Sequence, residues 1–290
     1  MIEFSILVPA ILNGLTTGAV YALVALGLTL IYGVLHIINF AHGSLLMLAL
    51  YGVYFLYTLF GIDPYLALPI AMPAMFALGY VLQRYVIGQM KAAKDENILL
   101  VTLGLSIIIE NLALYAWKSD TRTINTPYGF STIDFGIAVI AVPKVVAFAG
   151  ALVVTGLLWL LMRRTDLGRA IRALAKERQG ARLVGIHVEH VFAMSFGIGI
   201  ACLGAAACLL LPGYYVNPGV GNSFVLIAFT VVVLGGMGSF GGALAGGLII
   251  GVTESLSGLF LGESLGQIGI FLIFIAILLF RPTGLFVQRA

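Results

Sequence analysis

Charge is what this sequence has least of. Only 9% of its 290 residues are Asp, Glu, Lys or Arg, against about 25% in a typical soluble domain. That scarcity excludes a water-covered surface for most of the chain. Cysteine is nearly absent as well, with Cys202 and Cys208 the two examples. They stand six residues apart in one apolar stretch, about 240° around a helix axis. A disulfide or metal site shared between them is not supported, and both read as small buried hydrophobes. Histidine offers no metal cluster either, since His36 and His42 are six residues apart and His187 and His190 belong to another loop. The phosphate-cradling pattern G-x-x-x-x-G-K-[ST] is missing, and Gly-Lys does not occur even as a dipeptide. ATP is therefore not expected to bind by that route. The first fifteen residues lack the basic region and small-residue cleavage site of a signal peptide, so the first apolar segment is expected to be retained.

What the sequence has in abundance is apolar length. Hydrophobic residues make up 61% of it, and runs such as 20–35 and 268–280 are apolar on every side. In lipid, backbone groups must be satisfied internally, which leaves helices or a closed barrel. Barrel strands alternate apolar and polar positions over about ten residues; these runs do not. The expectation is an all-α, polytopic transmembrane bundle, one domain over 1–290, with eight to nine membrane segments. They fall near 5–32, 40–59, 65–87, 98–117, 135–162, 191–211, 223–234, 240–256 and 265–280. Pro143 is expected to interrupt the fifth. The seventh is shorter than the ~20 residues a full span needs, so 223–256 reads either as two spans or as one re-entrant unit.

The exception is residues 163–190, RRTDLGRAIRALAKERQGARLVGIHVEH, which hold seven of the fifteen cations. A central Arg or Lys costs about 2.5–3.5 kcal/mol on insertion scales, so this stretch lies in water, and its sign places that water in the cytoplasm. Nine crossings then put the N-terminus outside and the C-terminus inside. Arg84, Lys91, Lys94, the seven loop cations, Arg281 and Arg289 fall inside, twelve in all, against Lys118, Arg122 and Lys144 outside. The net charge of +3 is thus explained by topology, and no nucleic-acid partner is expected. Within the loop, Leu167, Ile171, Leu174, Ala175, Ala181 and Val184 recur near the helical period. Thr165 or Asp166 suits the start of a short amphipathic helix and Gly185 its end. It reads either as an ordinary basic surface loop or as a docking element for a soluble partner.

Other candidates sit inside the apolar segments. Asn39, His42 and Gly43 occupy a turn at the inner leaflet, suited to capping or to a gate. Glu110 lies mid-segment, where a carboxylate must face protein or water; it reads as a structural hydrogen-bond partner or as part of a pathway. Glu254 is a weaker instance, and Tyr214, Tyr215 and Asn217 sit in an outer loop. Gly235, Gly236, Gly238, Gly241 and Gly242 suggest a flexible or broken helix beside a pathway, with Gly235, Gly236, Gly238 and Ser239 as candidates for the pathway or its gate. Gly14/Gly18, Gly238/Gly242, Gly242/Gly246 and Gly247/Gly251 are small-x3-small pairs that let helices approach closely. The turns around 39–43 and 239–242 echo each other, a parallel repeat of the kind that brackets transport pathways.

Several of these motifs resemble one family. Gly168-Arg169-Ala170-Ile171-Arg172-Ala173 with Ala181-Arg182-Leu183-Val184-Gly185-Ile186 is similar to the cytoplasmic loop of ABC-importer permeases of the LivH type, which serve branched-chain amino-acid import. Gly18–Leu23, Gly27–Gly33, Asn39–Gly43, Thr102–Leu105, Gly235–Ser239 and the ending Phe280–Phe286 fit the same pattern in order along almost the whole chain. Gly180 departs from it, where Ala or Glu is expected, and costs about 1 kcal/mol of helix propensity there. The resemblance implies a bacterial inner-membrane permease subunit, not itself an enzyme. It would pair with a second related permease and with two ATP-binding subunits that hold ATP and Mg, while an external solute-binding protein delivers the cargo. No cofactor would bind this chain. Residues 170–186, with Arg169, Ala170, Arg172, Glu177, Gly180, Ala181, Arg182, Leu183, Val184, Gly185 and Ile186 as named positions, would couple ATP hydrolysis to transport. Urea, amides and aromatic acids are alternative cargoes, and a stand-alone secondary transporter is the alternative machine.

Overall fold

A computed structural model describes residues 4–90, 95–134, 136, 138–262, 265–281 and 284–286. The expected inner cations Lys91, Lys94 and Arg289, and Pro282 and Thr283 of the terminal motif, lie outside the described residues, as do Phe135 and Ile137.

Among the described residues nine long helices carry the fold: α1 (Phe4–Leu35), α2 (His42–Phe60), α3 (Leu68–Tyr85), α4 (Asp95–Trp117), α5 (Val142–Arg164), then α8 (Val188–Leu210), α9 (Val220–Gly235), α10 (Phe240–Leu261) and α11 (Gly266–Phe280). Two short helices, α6 (Asp166–Lys176) and α7 (Arg178–Leu183), fill the basic loop. Seven of the helices are long and apolar enough to cross a membrane, while α9 and α11 are shorter. This agrees with the expected all-α, multi-pass bundle, and residues 223–256 resolve into two separate helices, α9 and α10.

The axis of the bundle is α1, 32 residues and so about 48 Å long. From residue 19 onward its side chains are almost all buried. Glycine explains how it is covered: a Cβ on Gly14 or Gly18 would collide with the α10 backbone at Gly251–Val252 or Gly247. Close backbone contact replaces side-chain interdigitation, as small residues allow between membrane helices. The helices α5, α8 and α9 complete the shell around α1, and α3 lies against α8. By contrast α4 touches α2 and little else, and Leu100, Ile107, Ile108, Leu112 and Tyr115 on its outer face are exposed.

Segment five differs from its expected course. Residues Thr132–Asp134 (β1) and Val139–Ala141 (β2) pair as an antiparallel hairpin, and α5 starts only at Val142. Pro143 then lies in its first turn rather than interrupting it. Proline is tolerated there because a first-turn N–H has no intrahelical partner anyway.

Candidate functional site

The described residues bring polar groups together inside the bundle, on its basic end and, on a smaller scale, at the opposite end.

The interior place begins where α1 ends. After Leu35 the chain turns at His36 (φ 58°) and runs back alongside the bundle instead of staying at its end. His42 Nε2 meets the Val24 carbonyl at 3.0 Å. Val24 precedes Leu35 by eleven residues, about 16 Å along the axis. The expected surface turn is therefore a re-entrant segment, and α2 starts inside the bundle. Sequence could not reveal this, because the bond spans eighteen residues and leaves no local pattern. Asn39 caps the re-entry, its Oδ1 accepting from the Ala41 N–H at 3.1 Å.

Gly43, in the first turn of α2, lies against Gly221 in the first turn of α9, where a Cβ on either would overlap the other's backbone. Two helix N-termini therefore meet in the interior, each with the positive end of its dipole. One face of α4 seals the junction, with polar residues every fourth position. Thr102 Oγ1 accepts from Phe40 N at 3.3 Å and donates within the turn. Ser106 Oγ pairs with Ser44 Oγ at 2.7 Å. Glu110 Oε1 accepts from Asn222 Nδ2 at 3.1 Å, on α9. Two buried atoms here have no partner among the described residues: Asn39 Nδ2, a donor, and His42 Nδ1, the acceptor left when Nε2 serves Val24. Sequence reasoning found Asn39, His42, Gly43 and Glu110 but missed Ser44, Ser106 and Asn222. The i, i+4 spacing of Thr102, Ser106 and Glu110 was the available signal.

Gly235, Gly236, Gly238 and Ser239 do not join this cluster. They form the turn between α9 and α10, at the far end of α9 from Gly221. Gly236 and Gly238 hold φ of 91° and 87°, which only glycine adopts readily. Ser239 caps α10, accepting from Gly242 N at 3.1 Å. The Leu285 N–H bonds Leu234 O at 2.8 Å, so the turn is fastened to the chain's end instead of being loose. Gly238 packs against Gly33, which places the second echoing turn beside the end of α1, whereas the first leads into the interior.

The basic loop folds back on the bundle. Thr165 caps α6, its hydroxyl accepting from Gly168 N at 3.0 Å. Gly168, Ile171 and Leu174 face inward and are buried, against α5, α8 and α1. Arg172 donates to the Met162 carbonyl, and Arg169 pairs with Asp166. The expected single helix is two, because the chain breaks at Glu177, which caps α7 by accepting from Gln179 N at 3.0 Å. Gly180 lies within α7 and is not the break. The new phase explains a second correction. Val184 fits the apolar period yet is 75% exposed, beside Leu183 at 88%, while Ala181 is buried. Gly185 (φ 85°) ends α7, with Ile186 N bonded to Ala181 O at 3.0 Å. Arg178 anchors the loop, donating to Leu35 O at 2.7 Å, its guanidinium 5.3 Å from the Phe192 ring centre. The result is an apolar tip, Leu183–Val184, held on a fixed base.

At the opposite end Tyr128 donates to Asp63 Oδ2 at 2.6 Å and stacks on Tyr65. Burial, then the Asp63 charge, pushes the Tyr65 hydroxyl up to about 12. Burial and the Asp63 bond raise Tyr128 further. Cys202 and Cys208 are both buried and unbonded to each other, and the described residues hold no group of metal-ligating side chains.

Residues 10–280 match the family model described as branched-chain amino acid transport system / permease component. The chain is 34% identical to the high-affinity branched-chain amino acid transport system permease protein BraD of Pseudomonas aeruginosa, covering 95% of this chain and 94% of that one. It is 33% identical to the corresponding protein LivH of Salmonella typhimurium, over 98% and 96% of the two chains. A shorter likeness, 32% over 54% of this chain and 49% of the other, links it to the D-allose transport system permease protein AlsC of Escherichia coli. No solved structure matches it.

Proposed function

The chain belongs to the family of branched-chain amino acid transport permeases, and from this we propose that it is the membrane-spanning subunit of an ATP-driven importer for branched-chain or related hydrophobic amino acids. In this reading it forms one permease domain over 1–290, with the coupling loop at 163–190, in a bacterial inner membrane. The N-terminus faces out, and the C-terminus and the basic loop face the cytoplasm. A second related permease completes the pathway, an external solute-binding protein delivers cargo, and two ATP-binding subunits carry ATP and Mg. This chain binds no cofactor and catalyses no reaction.

The observation that carries the driving mechanism is the apolar tip Leu183–Val184. Water-exposed apolar side chains on a firmly seated base suit insertion into a partner's groove. Closing of the ATP-binding pair would push on α7 and, through Arg178 and the buried face of α6, on the ends of α1, α5 and α8. Rigid-body rocking of packed helices is a known output of such a push. Cargo would pass the interior junction. There the N-termini of α2 and α9 favour a carboxylate, Glu110 favours an ammonium, and Asn39 and His42 present one free donor and one free acceptor. The turn Gly235–Ser239 would act as a fixed pivot between α9 and α10.

The test is co-purification of the tagged chain from its native membrane, with mass spectrometry and an ATPase assay. Two ATP-binding subunits, a second permease, and ATPase activity stimulated by leucine-loaded binding protein are the expected result. Isolation of the chain alone, with leucine uptake driven by an ion gradient, would overturn the reading.

A further inference from the structure

Between α9 and α11 lies a cavity of about 150 Å³. Its wall has two levels. The first turns of the two helices supply Asn222, Ser223 and Gln267, and the next turns supply Leu226, Ile270 and Phe271. One level is polar and the other apolar.

Depth decides what this wall can face. From Asn222 to Gly235 α9 runs thirteen residues, about 20 Å. The turn that follows packs on Gly33, near the end of α1 at the basic end. The polar level therefore lies well inside the ~30 Å of hydrocarbon. Asn222, Ser223 and Gln267 are nonetheless exposed, and the Ser223 and Gln267 side chains make no hydrogen bond among the described residues. Amides and hydroxyls without partners are unfavourable in lipid, so acyl chains do not suit this face.

Glu110 narrows the choice of occupant. It stands beside the polar level, half-buried, with its Oε1 3.1 Å from Asn222 Nδ2. No cation among the described residues pairs with it, although a carboxylate at membrane depth calls for a counter-charge. The Asn222 and Gln267 amide oxygens and the Ser223 hydroxyl add further acceptors. An anion would leave the Glu110 charge uncompensated, and a purely apolar group would leave the polar level unpaired. A molecule with an ammonium beside a small apolar group satisfies both levels. Apolar protein cavities of about this volume admit benzene, so a branched aliphatic side chain fits.

We propose that this cavity is the subsite that receives the cargo side chain during transport. The side chain lies against Leu226, Ile270 and Phe271, and the ammonium at Asn222 and Glu110. The carboxylate takes the Ser223 hydroxyl, beside the positive end of α9. The proposal rests on the reading of the chain as an amino-acid permease. Leu226 and Phe271 then determine which side chains pass.

The experiment uses the complete importer carrying Leu226→Cys, a position 50% exposed, where folding is little disturbed. The native Cys202 and Cys208 are buried, and the unsubstituted complex gives the background. A charged, water-soluble thiol reagent is expected to label the variant. Millimolar leucine, without binding protein, is expected to slow labelling about fivefold or more, the protection factor being one plus the ratio of ligand to its Kd. Aspartate is expected to have no effect. Leu226→Trp, which fills the cavity, is expected to assemble normally and to lower ATP-driven leucine uptake in vesicles about tenfold. Uptake by that variant equal to wild type overturns the inference, as does labelling that leucine does not slow. Reaction with a lipid-soluble maleimide alone overturns it in favour of an acyl chain, and reaction with neither reagent in favour of the partner permease. In each of these cases ATP-driven uptake by the wild type leaves the importer standing. Absence of that uptake overturns the importer reading itself, and this proposal with it.

Discussion

The basic loop and the interior junction are built from opposite materials. The loop takes its shape mostly by local means, a Thr165 cap, a Glu177 cap, one i, i+3 charge pair and one buried helix face, and Arg178 ties it to Leu35. Its tip is then free to be spent on a partner. The junction is held mainly by contacts between distant residues, from His42–Val24 at 18 positions through Ser44–Ser106 at 62 to the Gly43–Gly221 approach. It contains hardly any side-chain volume that can be exchanged. A change at the loop tip should therefore damage function and spare stability, and a change at the junction should do the reverse unless it alters charge alone.

The largest effect is expected at Gly43. In Gly43→Leu the new side chain must displace the α9 backbone, and overpacking of this kind costs 1–3 kcal/mol or more, roughly. We expect the yield of folded protein in the membrane to fall about tenfold, at roughly 1.4 kcal/mol per decade, as read by fluorescence-detected size exclusion. Normal yield would mean that the two N-termini are not in contact. Next is Leu183→Asp with Val184→Asp. Here thermal stability should stay within about 0.5 kcal/mol, as for exposed sites generally, while pull-down of the ATP-binding subunits is lost. Retained pull-down would remove the tip from the coupling mechanism.

Glu110→Gln separates charge from structure. An amide oxygen still accepts from Asn222, so stability should change by no more than about 1 kcal/mol. If the carboxylate faces the cargo ammonium, uptake falls at least tenfold, about 1.4 kcal/mol; unchanged uptake would make Glu110 a strut and nothing more. Ser44→Ala and Ser106→Ala should each destabilise by about 1 kcal/mol, and the double variant by less than their sum, since removing both hydroxyls leaves neither unpaired.

The smallest effect lies at the far end. Tyr128→Phe removes the bond to Asp63 and should lower stability by about 1 kcal/mol at most. Both tyrosine hydroxyls titrate above their ordinary value, so their contribution is fully present below pH ~10 and lost only as pH rises through the raised values. Melting curves between pH 6 and 9 should show no transition from this pair.

The same contrast explains what could be read in advance. The helices were legible because apolar length is a local property, and so was the loop, because its cations are contiguous. The break at Glu177 was not, since one residue resets the helical phase without altering composition, and Val184 was turned outward as a result. The junction was half legible. Asn39, His42, Gly43 and Glu110 stand out as polar or small residues among apolar neighbours. Their partners Ser44, Ser106 and Asn222 are ordinary helix residues until the fold brings them together.

The most direct measurement is leucine uptake by vesicles reconstituted with this chain, its partner permease, the ATP-binding subunits and the external binding protein, with and without ATP inside, for wild type and for the Leu183→Asp/Val184→Asp variant. We expect uptake that requires both ATP and binding protein, and none in the variant although it inserts and folds. Uptake by the variant equal to wild type, or uptake by wild type without ATP, would contradict the claim that this loop delivers the driving force.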